Sequence, residues 1–300
     1  MTDFYGIIPP VATIFNANGT FNQAGMKNMI DANIERGVHG LFFLGSAGEV
    51  MHMTDKLRSE VVEFCVSYTN KRVPVLVGAI ACGTEPVIGY AQEAERFGAD
   101  GLVLLNPYYA QLSEEAIYQH FAKVMEKVSI PAFLYNLPGA TGQSLSVPLI
   151  KRIAKTIPSI IGLKDTVDTI SHIRAVIMEV KSERPDFKVF CGFDEYLLTT
   201  LLIGGDGCVP ASANFAPHLT CGIYEAFQKG DFETIKKLQK QLSYIPPLYQ
   251  MGPPFFAAMK EAIKLSGVDI TTDVLSPSPM PDEATKKAVA DMMRNVAPKK

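Results

Sequence analysis

The sequence predicts an α/β chain, a (β/α)8 TIM barrel of eight strand–helix units followed by a helical C-terminal extension. Apolar runs of strand length alternate with helix-periodic runs almost from end to end, as repeated βα units do. Gly37-Val38-His39-Gly40, Gly98-Ala99-Asp100-Gly101 and Gly205-Asp206-Gly207 each join a helix to an apolar strand. In each, the first glycine suits a left-handed helix end and the second a tight turn into the sheet. No Gly-x-Gly-x-x-Gly follows the first strand, which leaves a doubly wound sheet, the main alternative, without its usual phosphate loop. Eight units over about 225 residues favour the barrel.

The first strand is read over residues 6–13, where Pro9 and Pro10 imply a bulged or edge-like start. Residues 22–36 read as a helix and 41–44 as the second strand. Thr54 is an N-cap for a helix running to about Tyr68. Residues 75–77 form the third strand, and Thr84 caps the next helix, with Pro86 tolerated in its first turn. Strand four is 102–105, Ser113 caps a helix to residue 128, and strand five is 132–135. Ser146, with Pro148 just inside, opens a helix that stops before Pro158. Strand six is 160–166, followed by a helix over 170–180; strands seven and eight are 189–191 and 208–209, with 195–203 helical between them. Residues 217–228 supply the eighth helix.

Residues 1–229 would thus be the barrel, and 230–300 an extension of three helices (231–242, 255–265, 282–293) separated by proline-rich turns. The short connections imply helices packed on the barrel rather than a separate domain.

Composition narrows the function classes. Hydrophobic residues at 47% are enough for a large core, and 20% charged residues argue against disorder. A net charge of −3 without a basic cluster speaks against a nucleic-acid partner. Apolar runs are strand-sized, far short of the ~20 residues of a membrane span. Residues 1–5 carry neither a basic n-region nor an apolar h-region, so nothing there marks secretion. Five cysteines, odd in number and set in apolar segments, fit reduced thiols in the cytoplasm.

The chemistry gathers at strand ends. Ile160-Ile161-Gly162-Leu163-Lys164 is an apolar run ending on a lysine, followed at once by Asp165-Thr166. At the C-terminal rim of a barrel that amine is partly stripped of water, which favours a neutral nucleophile able to attack a carbonyl. The plain alternative is a surface lysine that happens to follow a strand. Gly45-Ser46-Ala47-Gly48-Glu49 lets backbone N–H groups converge beside a hydroxyl, a cradle suited to a carboxylate, though it also reads as an ordinary glycine-rich turn. Tyr135-Asn136-Leu137-Pro138 places a phenol at the rim, Asn106-Pro107-Tyr108-Tyr109 two aromatics, and Gly192-Phe193-Asp194-Glu195 two carboxylates. Each of these alone has a packing or capping explanation. The five histidines are scattered, Cys-x-x-Cys does not occur and no Gly-x-Ser-x-Gly elbow appears, so no metal site and no serine nucleophile is expected. Amine, phenol and anion cradle on one barrel point to Schiff-base chemistry on a keto acid, with no cofactor.

At these motifs the sequence resembles the dihydrodipicolinate synthase/N-acetylneuraminate lyase family of lysine-dependent aldolases, over barrel and tail alike. The resemblance implies that Lys164 forms the Schiff base with the 2-keto carbon. Tyr135 would move protons, and Ser46 with the Ala47 N–H would hold the carboxylate. It also implies that Tyr109 reaches into a neighbouring subunit's site and links to Tyr135 through the Ser46 hydroxyl, in tight dimers commonly paired into tetramers. Thr166, Gly192, Asp194 and Val209 would complete the substrate-binding set.

Departures from the family pattern narrow the substrate. Dihydrodipicolinate synthases place an arginine two residues after the proline of the tyrosine motif, where this chain has Ala140. Losing a fork-shaped donor at a carboxylate site is not a small change. The Gly192–Glu195 stretch looks instead like that of the sugar-acid lyases, where acidic and backbone groups meet substrate hydroxyls. Ala47 stands where many members have threonine, and Pro210 replaces a smaller or polar residue, which ranks sialic acid second. The expected function is a class I aldolase cleaving a 2-keto-3-deoxy sugar acid such as 2-keto-3-deoxygluconate to pyruvate and an aldehyde. N-acetylneuraminate lyase or dihydrodipicolinate synthase activity, a Schiff-base dehydratase and a silent keto-acid-binding protein are the rivals.

Overall fold

The computed structural model describes residues 2–297. It is an α/β fold in which eight parallel strands form one curled sheet, ordered β1-β8-β7-β6-β5-β4-β3-β2. The strands are β1 (Gly6–Ile7), β2 (Leu41–Phe43), β3 (Val75–Ala79), β4 (Gly101–Leu105), β5 (Ala132–Asn136), β6 (Ile160–Asp165), β7 (Lys188–Cys191) and β8 (Gly207–Cys208). Nearly every strand residue is buried, which is why the runs read as continuously apolar rather than alternating.

Helices α1 (Gln23–Glu35), α2 (Asp55–Thr69), α3 (Thr84–Phe97) and α4 (Glu114–Met125) follow the first four strands. After β5 come a single turn α5 (Pro138–Thr141), which the sequence pattern did not announce, and α6 (Val147–Thr156). Then follow α7 (Ile170–Val176), α8 (Leu197–Leu202) and α9 (Pro217–Lys229), and the tail carries α10 (Phe232–Leu242), α11 (Phe256–Leu265) and α12 (Glu283–Val296). Among the described residues no helix is long and apolar enough to cross a membrane.

Local signals placed most helix starts. The hydroxyls of Thr54, Ser113 and Ser146 accept from the N–H groups of Leu57, Ala116 and Leu149, as N-caps do. Thr84 is different. It is the first residue inside α3, Gly83 takes the cap position, and the Thr84 hydroxyl lies 2.9 Å from His120 Nδ1 on α4. The helix expected over 170–180 changes winding at Ile177–Lys181, a π-turn.

The first strand is shorter than the expected 6–13. Pro9 and Pro10 carry no N–H for a ladder, so regular pairing with β8 covers only Gly6 and Ile7. The chain then crosses to β2, where Phe42 N–H donates to the Pro9 carbonyl (3.0 Å) and Val11 N–H to the Phe42 carbonyl (2.8 Å). The glycine repeat also has a tertiary reason. Gly98 ends α3 at φ 90, whereas a Cβ on Gly207 would lie 1.9 Å from the Gly6 carbonyl oxygen, so β8 meets β1 only because that side chain is missing. In the third repeat the left-handed residue is Gly204, one position before the expected Gly205.

Candidate active site

Parallel register brings the reactive groups together. Tyr135 on β5 and Lys164 on β6 are direct partners, so their side chains leave the same face of the sheet. Lys164 Nζ lies 4.0 Å from the centre of the Tyr135 ring and 5.0 Å from that of Phe42 on β2. Reaching from β6 to a ring on β2 is possible because the sheet curls. Lys164 is 5% exposed, and its amine opens into a cavity of about 340 Å3, within the range of small-molecule sites.

Asp165, next on β6, points to the other face and fixes the strand end. It accepts from Asn136 Nδ2 at 2.8 Å and pairs with His172 Nδ1 at 2.6 Å, while His172 Nε2 meets the Leu145 carbonyl at 2.9 Å. With acceptors on both ring nitrogens, the protonated form of His172 is favoured. Burial alone would lower its pKa, but the Asp165 hydrogen bond and charge and the Leu145 carbonyl outweigh it and raise it above 6.5.

Ser46 and Ala47 line the same cavity as Tyr135. They open a 3-10 turn, Ser46–Gly48, in which the N–H groups of Gly48 and Glu49 close onto the carbonyls of Gly45 and Ser46. The N–H groups of Ser46 and Ala47 have no partner within that turn and remain available as donors. Glu49 turns away into the core with φ 61, its Oε1 2.5 Å from Lys260 Nζ on α11 and its Oε2 2.8 Å from the Leu275 N–H.

Thr166, Gly192 and Val209 all line the cavity. The Thr166 hydroxyl is buried with no hydrogen-bond partner, and a Cβ on Gly192 would sit 1.9 Å from it, so only glycine fits beside that threonine. Asp194 does not line the cavity. Its fully buried carboxylate accepts from the Ser212 N–H (3.2 Å) and the Tyr249 hydroxyl (2.5 Å). Burial raises its pKa in spite of those bonds. It therefore meets the cavity only through Tyr249, not directly as the motif suggested. Tyr109 also stands apart, 98% exposed and at φ 77, outside the lining of its own chain's cavity.

Ala140 does line it, and among the described residues Lys164 is the sole lysine or arginine to do so. No group of three or more His, Cys, Asp or Glu residues placed to hold a metal ion occurs among the described residues. A second cavity, of about 370 Å3 beside Arg36 and His218, contains none of the expected site residues.

Sequence reasoning missed the roof. Tyr249, Pro254, Phe255 and Phe256 come from the tail and close over the strand ends, with Met51 and Leu137 beside them. An aromatic pair directly after Pro253-Pro254, at the head of the expected 255–265 helix, was the available signal, because two large apolar side chains beside a proline turn imply a surface to cover.

The profile of the Dihydrodipicolinate synthetase family matches residues 3–296. The chain belongs to that family. Among curated proteins of Escherichia coli strain K12 it is 41% identical to the "Putative 2-dehydro-3-deoxy-D-gluconate aldolase YagE", over 98% of this chain and 97% of that one. It is 40% identical to the "Probable 2-dehydro-3-deoxy-D-pentonate aldolase YjhH", over 96% of each chain. The crystal structure of YagE from E. coli K12 in complex with pyruvate superposes with a TM-score of 0.96 over 98% of both chains. A dihydrodipicolinate synthase from Thermotoga maritima reaches 0.92 at 26% identity, so the family fold extends well beyond the aldolase-named relatives.

Proposed function

We propose that this family member is a class I aldolase that cleaves a 2-keto-3-deoxy sugar acid, such as 2-keto-3-deoxygluconate, into pyruvate and an aldehyde. The observation that carries the reading is the buried Lys164 amine beside Tyr135 in a cavity flanked by Ser46 and Ala47. Lys164 Nζ adds to C2 of the keto acid and water leaves, giving an iminium that draws electrons as the C3–C4 bond breaks. Tyr135 accepts the C4 hydroxyl proton, and the aldehyde departs. The enamine is protonated at C3, and water hydrolyses the iminium to release pyruvate and the free lysine. Ser46 and the Ala47 N–H hold the substrate carboxylate throughout, while Thr166, Gly192 and Val209 bind the rest of the molecule. Asp194 acts one step removed, by orienting Tyr249. Covalent catalysis of this kind needs no cofactor or metal.

The curled sheet is read as a (β/α)8 barrel over residues 1–229, closed by the Pro9–Val11 contacts with Phe42, and residues 230–300 as helices packed upon it, residue 1 and residues 298–300 lying outside the described residues. The exposed Tyr109, outside its own cavity, supports a homo-oligomer in which it completes a neighbour's site, the dimers pairing into tetramers. Five free cysteines are in keeping with a cytoplasmic enzyme that acts on small molecules and not on nucleic acid or membranes.

Borohydride added with pyruvate tests the core of the reading. It should inactivate the enzyme and add a reduced pyruvate mass to the Lys164 peptide; label elsewhere, or none, removes the Schiff-base mechanism. A panel of keto sugar acids assayed for pyruvate then identifies the substrate, and a deoxygenated keto acid of unchanged carbon number would mark a dehydratase instead.

A further inference from the structure

We infer that the same cavity accepts aldehydes with unbranched apolar tails, so that the enzyme also builds 4-hydroxy-2-oxo acids from pyruvate and simple alkanals. This rests on the Schiff-base reading above and adds to it a second substrate class. The polar groups of the cavity are few and mostly committed. Ser46, Tyr135 and Lys164 gather where the keto acid reacts, and Tyr249 spends its proton on Asp194. On the remaining lining side chains among the described residues that leaves only the Thr166 hydroxyl, which is unpartnered but buried from solvent.

Beyond it the wall is carbon: Met51, Leu137, Val209, Pro254, Phe255 and Phe256. Met51 is 47% exposed, a large apolar side chain left in water at a site that a ligand can cover. Each methylene laid against such a wall gains by leaving water.

The chemistry balances without an oxidant or reductant. Lys164 condenses with pyruvate and water leaves; Tyr135 removes a C3 proton to form the enamine. C3 of the enamine bonds to the aldehyde carbon, the carbonyl electron pair moves to oxygen, and that oxygen takes the proton back from Tyr135. Hydrolysis of the iminium frees Lys164 and one product molecule, the sum of pyruvate and aldehyde.

The test is addition of pyruvate by the full-length enzyme to ethanal, propanal, butanal and pentanal, beside glyceraldehyde, with product followed by mass spectrometry. The expected kcat/KM rises roughly three- to fourfold per added methylene until the cavity is full. Met51→Ser and Phe255→Ser should flatten that slope, whatever they do to the overall rate. A flat or falling series from an enzyme that adds pyruvate to glyceraldehyde overturns the inference and leaves the Schiff-base reading standing. Absence of any borohydride-trapped pyruvate on Lys164 overturns both.

Discussion

At the scale of single residues, Tyr135 and Lys164 owe their proximity to one register pairing between β5 and β6, and each has one chemical task. Tyr135→Phe keeps the ring and removes the proton carrier, so kcat should fall roughly 100- to 10,000-fold while pyruvate still forms a reducible adduct. Ala140 supplies no charged fork for a second carboxylate, and no other arginine or lysine besides Lys164 lines the cavity among the described residues. Losing a charge-assisted bond of about 1.5–3 kcal/mol predicts a roughly ten- to hundredfold handicap for condensation with aspartate semialdehyde relative to 2-keto-3-deoxygluconate cleavage, measured as kcat/KM. Efficient condensation would mean that another cation reaches the site. His172 gives a pH signature. Its pKa is raised in the folded chain, so its stabilising effect is fully present below about pH 6.5 and is lost as pH rises through the folded value. The Tm difference between wild type and His172→Gln should be largest in mild acid and shrink toward alkaline pH; a difference that grows instead would mean the ring is neutral.

Among elements, the decisive contact joins the Ser46–Gly48 turn to α11. Glu49 and Lys260 are both fully buried and 2.5 Å apart, and Lys260 Nζ also meets the Asp273 carbonyl at 2.6 Å. Burial lowers the Lys260 pKa, and the Glu49 charge and hydrogen bond pull against that. Truncating one partner strands the other, so Lys260→Met should cost about 3–5 kcal/mol by denaturant titration. Pyruvate KM should rise as well, because the turn that carries the carboxylate donors loses its anchor. Lys260→Met combined with Glu49→Gln should recover much of the stability, since no buried charge then remains unpaired. A double variant no better than the single one would show that packing around Lys260, and not the ion pair, holds the turn.

For the whole molecule, the prediction turns on Tyr109. A tyrosine that is 98% exposed at φ 77 is held in a conformation uncommon for a side-chain-bearing residue, with no contact inside its own cavity to require it. Tyr109→Phe and Lys164→Ala should each be nearly inactive as homo-oligomers. Mixed oligomers should regain activity wherever an intact Lys164 site faces an intact Tyr109. Demonstrably mixed assemblies that stay inactive would take Tyr109 out of the shared site.

The amino-acid sequence by itself determined whatever depends on neighbours along the chain. The alternation of strand and helix, the caps at Thr54, Ser113 and Ser146, and the motifs bearing Ser46, Tyr135 and Lys164 are local patterns, legible because their causes lie within a few residues. Tertiary structure decided the rest. Thr84 looked like a cap until His120, 36 residues away, took its hydroxyl. The Asp194 carboxylate looked available to substrate until Tyr249, 55 residues on, turned it inward. Lys260 had no visible role until Glu49, 211 residues before it, met it in the core, and the aromatic roof had none until the tail folded over the strand ends. A buried polar group must find a partner, but which one is settled only when the packed chain brings distant segments to the same place.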